Sequence, residues 1–320
     1  MLPDFAVVVH AVESVATFFL IGLIGYVLAA RGWFSRENRE MITRLITQVA
    51  LPLYLIHNIN SAMSRSELLE LAYGIAPAFM SISLMFCLAL GAARLLKIPG
   101  PRRGVFCAGI AFSNTMYIGL PINLALFGPK AIPFVILYYF ANTSLFWSAG
   151  SYLLAADGDA SGQSAFRLET AKRILSPAVL GFAVGLLLLL LDWKPPIFLA
   201  NAAMYMGSLT TPLAMVSIGV ILQSLGLAGI RFDRDMLLMF FGRYVLSPAS
   251  IILIAGCFGL PGLMRKVFIV QSALPMMSTL PILASFHRAD GEYATVAVSA
   301  STLAGLVTIP LSMLAVNIAA

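Results

Sequence analysis

The sequence has little charge and few residues suited to catalysis or metal binding. Only 11% of its 320 residues are charged, against about 25% in soluble domains. The three histidines, His10, His57 and His287, match no metal-ligand spacing, so we expect no metal site. The three cysteines, Cys87, Cys107 and Cys257, lie within apolar stretches and predict no disulfide framework.

Sequence motifs of common enzymes are also missing. None of the five lysines follows a glycine, which excludes the phosphate-binding GxxxxGK(S/T) loop. Neither HExxH nor GxSxG occurs, and no residue pattern implies a cofactor. We therefore expect a protein that is not an enzyme. The net charge of +6 reports membrane topology rather than nucleic-acid binding.

Hydrophobic residues make up 60% of the chain, against about 45–50% in soluble domains. Continuous runs of about 20 such residues cross a bilayer as helices, because lipid leaves no water to satisfy the backbone. The sequence predicts an all-α integral membrane protein with ten transmembrane helices. The first lacks a preceding basic residue and is kept as part of the mature protein rather than as a secretion signal. The ten spans are 5–30, 41–59, 68–96, 105–127, 131–154, 173–191, 197–222, 236–259, 264–286 and 293–318.

The chain repeats itself after 160 residues, and after 162 residues where IPGPRRGVF (98–106) corresponds to LPGLMRKVF (260–268). Pro52 in VALPLYLI corresponds to Pro212 in LTTPLAMVSIG, and Pro121 in YIGLPINLALFG corresponds to Pro281 in MSTLPILASFH. An odd number of spans in each copy turns the second copy upside down, which is typical of secondary transporters. We predict a first five-helix repeat at 1–154, a cytoplasmic linker at 155–172 and a second, inverted repeat at 173–320.

The distribution of Lys and Arg predicts the orientation. Fourteen lie in the connections after the odd-numbered spans, and five lie in the other connections. Cytoplasmic loops carry the excess of basic residues, so both termini are expected outside the cytoplasm of a multi-pass protein. The lipid bilayer is then the main partner, and no nucleic acid is expected.

Two spans carry helix-breaking residues at matching positions. The fourth reads SNTMYIGLP at 113–121, and the ninth has Pro275 and Pro281 around ALPMMSTLP. We expect both helices to unwind near mid-membrane. The half-helices starting near Pro121 and Pro281 would then direct positive N-terminal ends at an anion, assisted by Asn114, Thr115 and Ser278. The alternative is that the prolines only kink packed helices.

Three further features place polar groups inside spans. Arg243 either neutralises substrate charge, pairs with another residue, or snorkels to the surface. Glu13, with His10 on the same helical face, either carries a coupled proton or forms an interfacial pair. Asn142 either completes the cavity or joins two helices.

Several motifs, taken together and in order, resemble the auxin efflux carrier family, which includes bacterial malate and malonate permeases and plant PIN-type carriers. They are FSNTMYIGLP (112–121), TPLAMVSIG (211–219), FGRYVLSP (241–248), ALP (273–275) and VSASTLAGLVTIPL (298–311).

The resemblance implies a bile-acid-symporter-like fold with crossover helices four and nine, an elevator motion, organic-anion substrates and a bacterial inner membrane location. Asn114 matches the family's asparagine in the broken fourth helix, whereas Met116 replaces the usual small residue. Gln271 stands where sodium-coupled bile-acid carriers have an acidic residue, so coupling to H⁺ or Na⁺ stays open, as does homodimer formation. The predicted substrate-binding set is Asn114, Thr115, Met116, Gly119, Pro121, Pro275, Met276, Ser278 and Pro281, supported by Arg243, Asn142, Gln271, Glu13 and His10.

The sequence therefore predicts a secondary carrier that exports a small organic anion, such as a dicarboxylate or an auxin-like weak acid. A membrane-embedded sensor and an anion channel of the same fold are the alternatives. Sensors commonly carry an added signalling domain, for which no segment of this sequence is long enough.

Overall fold

The structure is a computed structural model that describes residues 5–62, 64–66, 72–158, 177–225 and 232–319. Within these ranges it is helical and has no strand beyond one isolated bridge, which confirms the predicted all-α class. The predicted linker lies outside the described residues after Gly158. The helices are α1 Phe5–Ala30, α2 Arg36–Leu45, α3 Leu51–Ala62, α4 Ile75–Leu95, α5 Gly100–Ala111, α6 Gly119–Phe127, α7 Ile132–Leu145, α8 Ser151–Gly158, α9 Pro177–Leu190, α10 Ile197–Ser208, α11 Thr210–Leu225, α12 Arg234–Phe241, α13 Ser247–Phe258, α14 Gly262–Ser272, α15 Leu280–Phe286 and α16 Gly291–Ala319.

Three π-helical turns, at Ile46–Ala50, Phe146–Gly150 and Gly242–Leu246, continue one helix into the next. Counting through two of them, three helices in the described part of the chain are long and apolar enough to cross a membrane: Ile75–Leu95, Ile132–Gly158 and Arg234–Phe258. This agrees with a membrane protein, while the count of ten spans stays a prediction. Of the three cysteines, only Cys107 is buried.

Backbone conformation repeats with the same offsets as the sequence. Six described residues have positive φ, and each lies within two residues of a helix end. They form three pairs: Gly32 with Asp192 and Gly128 with Arg288, 160 positions apart, and Lys97 with Gly259, 162 apart. Glycine adopts this left-handed conformation without strain, and each pair contains one glycine. The two halves of the chain therefore end three matching helices in the same way.

Contacts group the chain into two compact units that are each built from both repeats. Unit 1 comprises 1–15, 73–165 and 228–320, and unit 2 comprises 16–72 and 166–227. Among described elements, unit 1 holds α4 to α8 and α12 to α16, and unit 2 holds most of α1 with α2, α3 and α9 to α11. The compact units thus do not follow the sequence repeats, and the predicted division at 155–172 stays untested.

Helices of unit 2 approach one another closely at glycines. A Cβ atom built on Gly219 of α11 would lie 2.7 Å from the amide nitrogen of Tyr26 in α1. One built on Gly181 of α9 would lie 2.5 Å from the Cα of Pro52 in α3. Small residues let membrane helices pack backbone to backbone, so these positions hold unit 2 together.

We expect Gly219→Ala to lower the free energy of unfolding of the protein by about 1–3 kcal/mol, the typical effect of overpacking. The matched control is Gly256→Ala in α13, where a Cβ would meet nothing within 4 Å. Alanine favours a helix over glycine by roughly 0.5–1 kcal/mol, so the control should unfold at an equal or higher temperature. Thermal unfolding of both variants in detergent makes the comparison, and equal midpoints would contradict the packing account.

At one end of unit 1, Arg102 links three segments of the chain through two ion pairs. Its Nε donates to Asp290 at 2.8 Å and its Nη1 donates to Asp233 at 3.2 Å. Asp233 also caps α12 by accepting from the Met236 amide at 2.8 Å, and Asp290 accepts from the Tyr293 amide at 3.0 Å. The hydrogen bond to Asp290 raises the pKa of Arg102. These residues lie in the predicted connections after spans three, seven and nine, and the contacts bring them together at one end of unit 1.

Candidate functional site

Both predicted helix breaks are present, and both lie in unit 1. Helix α5 ends at Ala111 and α6 begins at Gly119, while α14 ends at Ser272 and α15 begins at Leu280. Residues 112–118 and 273–279 therefore leave the helical conformation at corresponding places in the two halves.

The two breaks pair with each other as short antiparallel segments. Ser113 lies opposite Met276 in the isolated bridge. The Asn114 amide donates to the Pro275 carbonyl at 2.9 Å, and the Met277 amide donates to the Phe112 carbonyl at 3.2 Å. Buried backbone groups need partners, and here each break supplies them to the other.

The outer edge of each segment is completed by a side chain. Asn142 of α7 accepts from the Ser113 amide at 3.1 Å and donates to the Ser113 carbonyl at 3.0 Å, so its amide group replaces a neighbouring strand. In the second half, the Ser301 hydroxyl of α16 accepts from the Met276 amide at 3.2 Å. These bonds give Asn142 a supporting role.

Sequence reasoning missed Ser301, although a signal for it was present. The residue lies 159 positions after Asn142, close to the repeat offset, and falls within the motif VSASTLAGLVTIPL. A polar residue at the matching place in the last span of each half could have been paired with the break in that half.

Pro121 and Pro281 mark the start of the helices that follow the breaks. They do not mark the end of the helices that precede the breaks. Pro121 and Pro281 stand in the first turns of α6 and α15, where a missing amide hydrogen is tolerated. Helix α5 ends ten residues before Pro121, beyond the four residues that a proline ring perturbs directly. Pairing between the breaks therefore accounts for the extended conformation at Phe112 and the bridge at Ser113.

Gln271 reaches from α14 to the first break. Its Nε2 donates to the Thr115 carbonyl at 3.3 Å, while its Oε1 has no partner among the described residues. A Cβ built on Gly119 would overlap that Oε1 and would lie 2.5 Å from Leu274 Cδ1. A larger residue at position 119 would therefore have to displace the ends of these two side chains.

The start of α6 has hydrogen-bond donors that no described residue satisfies. The Asn114 carbonyl accepts from the Gly119 amide at 3.0 Å. The Nδ2 atom of the Asn114 side chain has no partner among the described residues, and Asn114 is only 2% exposed. The amides of Met116, Tyr117 and Ile118 likewise donate to no residue that the structure describes. These three residues are also buried. Free donors at a helix N-terminus are suited to an anion.

The second break is more exposed where it leads into α15 and more tightly packed where it follows α14. Ser278 is half-buried, and Pro281 follows in the seven-residue helix α15. Met276 is fully buried, and Pro275 Cγ would lie 2.8 Å from a Cβ built on Gly305. Pro275 and Met276 therefore pack against neighbouring helices.

Arg243 is fully buried in the π-helical turn Gly242–Leu246, which rules out snorkelling. Its Nη1 donates to the Ile110 carbonyl at 2.9 Å. Its Nη2 donates to the Ser247 hydroxyl at 3.0 Å and also to the Ser272 carbonyl. His10 and Glu13 lie in α1, but their side chains are outside the described part of the structure.

Comparison with known proteins shows the family to which this chain belongs. The model of the membrane transport protein family matches residues 10–313. An uncharacterized transporter of Methanocaldococcus jannaschii is 22% identical over 303 residues, covering 93% of this chain and 96% of that protein. A second, from Methanothermobacter thermautotrophicus, is 23% identical over 304 residues with the same coverage. With its paired helix breaks and its match over nearly the whole chain, this protein is a membrane transporter that belongs to the membrane transport protein family, the auxin efflux carriers that its motifs resemble.

Proposed function

We propose that this transporter carries a small organic anion whose carboxylate binds at the start of α6. The observation that carries the proposal is the buried Nδ2 of Asn114, which has no partner among the described residues, as is also true of the amides of Met116, Tyr117 and Ile118. A buried donor without a partner costs about 1–3 kcal/mol. A ligand that accepts several such hydrogen bonds would recover that free energy, and α6 adds roughly half a positive charge at its N-terminus.

The substrate would lie against Asn114, Thr115, Met116 and Gly119 in the first break, with Ser278 contributing from the second. Met116 is 4% exposed, so its side chain already occupies space inside the protein. This supports a small substrate, such as a dicarboxylate or an auxin-like weak acid.

Alternating access by an elevator motion belongs to the same proposal. Both breaks lie in unit 1, which is drawn from both halves of the chain, and they are joined by backbone hydrogen bonds. This supports a binding site that moves as one body. We further propose that the side bearing Arg102, Asp233 and Asp290 faces the cytoplasm and that the carrier exports its substrate.

Calorimetry on the purified protein tests the substrate class. We expect saturable binding of at least one small carboxylate and weak competition by its methyl ester and amide, because a helix N-terminus favours negative charge. Asn58→Ala serves as a control, since among the described residues the Asn58 side chain bonds only the Tyr54 carbonyl of its own helix, at 2.8 Å. Equal affinity for the acid and its ester would place the site elsewhere. In liposomes, flux that rises linearly with substrate would indicate a channel.

A further inference from the structure

Arg243 lies where the carbonyl ends of two half-helices meet. Ile110 is the penultimate residue of α5, and Ser272 is the last residue of α14. Carbonyls in the last turn of a helix have no partner within that helix. Arg243 donates to one such carbonyl from each half of the chain, through Nη1 and Nη2 respectively.

The guanidinium charge is balanced without a substrate. Arg243 is fully buried, and none of the ion pairs recorded among the described residues includes it. An unpaired buried charge is strongly unfavourable. Two helix C-termini present roughly half a negative charge each, which together match the single positive charge of one arginine.

The contact requires a forked side chain. Nη1 and Nη2 bond different helices, and Ser247, one turn further along, accepts from Nη2 and so orients the fork. A Cβ built on the adjacent Gly242 would lie 2.9 Å from Ile110 Cγ1, so the π-helical turn is pressed against α5. A lysine ammonium is a point charge that cannot reproduce this bridge.

We propose that Arg243 is a positioning residue that joins the carbonyl ends of α5 and α14 and holds the two breaks in register without touching the substrate. The inference rests on the proposed function only in naming the anion site as the place that it positions. In each half, the pairing begins within three residues of the carbonyl that Arg243 holds: Ser113 follows Ile110, and Pro275 follows Ser272.

Amide hydrogen exchange without ligand tests the bridge directly. The reporters are the amides of Ser113, Asn114, Met276 and Met277, all hydrogen-bonded across or beside the breaks. In Arg243→Lys and Arg243→Gln we expect exchange to quicken at least about tenfold at both breaks together, since buried partners are lost. The control Asn58→Ala removes a side-chain hydrogen bond at 2.8 Å within α3, leaves every contact of Arg243 in place and should change exchange less than about twofold.

Carboxylate affinity in the same variants separates the two possible roles of the charge. A positioning role predicts that Arg243→Lys and Arg243→Gln weaken binding alike, by at least about tenfold. Wild-type affinity in Arg243→Lys would show that charge alone matters, and faster exchange at only one break would show that no bridge exists; either result overturns the proposal. If the wild-type protein binds no carboxylate, the proposed function fails while the exchange measurement still decides the bridge.

Discussion

Asn142→Leu is expected to abolish anion binding and transport, one of the two largest losses that we predict for a single side chain in the candidate site. Leucine has the same number of side-chain heavy atoms and the same branching as asparagine, but it can neither accept from the Ser113 amide nor donate to the Ser113 carbonyl, contacts of 3.1 and 3.0 Å. Asn142 is fully buried, so water cannot readily replace it. Two unsatisfied backbone groups would cost about 1–3 kcal/mol each.

The expected consequence is that Ser113 returns to a helical conformation or the first break becomes disordered. Ser301→Ala removes the bond from the Met276 amide at 3.2 Å and the hydroxyl's own bond to the Val298 carbonyl at 2.9 Å within α16. It leaves one backbone group of the second break unsatisfied instead of two, so it should have a smaller effect of the same kind. Binding and liposome transport should be measured together with thermal unfolding of both variants and of the control Asn58→Leu. Full transport by a folded Asn142→Leu protein would refute the view that this amide group maintains the break.

Asn114→Asp is expected to eliminate binding of carboxylates while leaving the protein folded. The side chain is almost isosteric with asparagine, but its carboxylate would occupy the donors at the start of α6 and repel a second anion. The amides before α6 and the positive end of that helix would offset the cost of burying this charge, so we expect the variant to remain folded. Asn114→Ala, by contrast, removes one donor and should weaken binding by about 1–3 kcal/mol.

The order of effects distinguishes a ligand-binding role from a packing role. Calorimetry should find that carboxylate affinity decreases from the wild type to Asn114→Ala and then to Asn114→Asp. The melting temperatures of the three proteins should not follow this order. A useful control is Asn123→Ala, since Asn123 donates to the Gly119 carbonyl at 2.7 Å within its own helix. Unchanged carboxylate affinity in Asn114→Asp would mean that this break does not bind the anion.

Much of the architecture could be predicted because it depends on residues that are near one another in sequence. The apolar runs required a membrane helix protein, and Gly119, Pro121 and Pro281 indicated where helices restart. The repeat offsets of 160 and 162 recur as matched positive-φ positions, because a helix end is determined by a few consecutive residues. The family itself was predicted from ordered motifs and is confirmed by the match over residues 10–313.

Tertiary structure alone decided how polar groups inside the spans are used. The sequence left three roles open for Arg243 and two for Asn142, because their partners lie far away along the chain. Ile110 is 133 residues from Arg243, and Ser113 is 29 residues from Asn142. In a membrane interior every exposed backbone group must find a partner, but only the folded chain specifies which one. The sequence determined that two helices break; the pairing of Ser113 with Met276, its completion by Asn142 and Ser301, and the bridge made by Arg243 were decided by packing between the two halves.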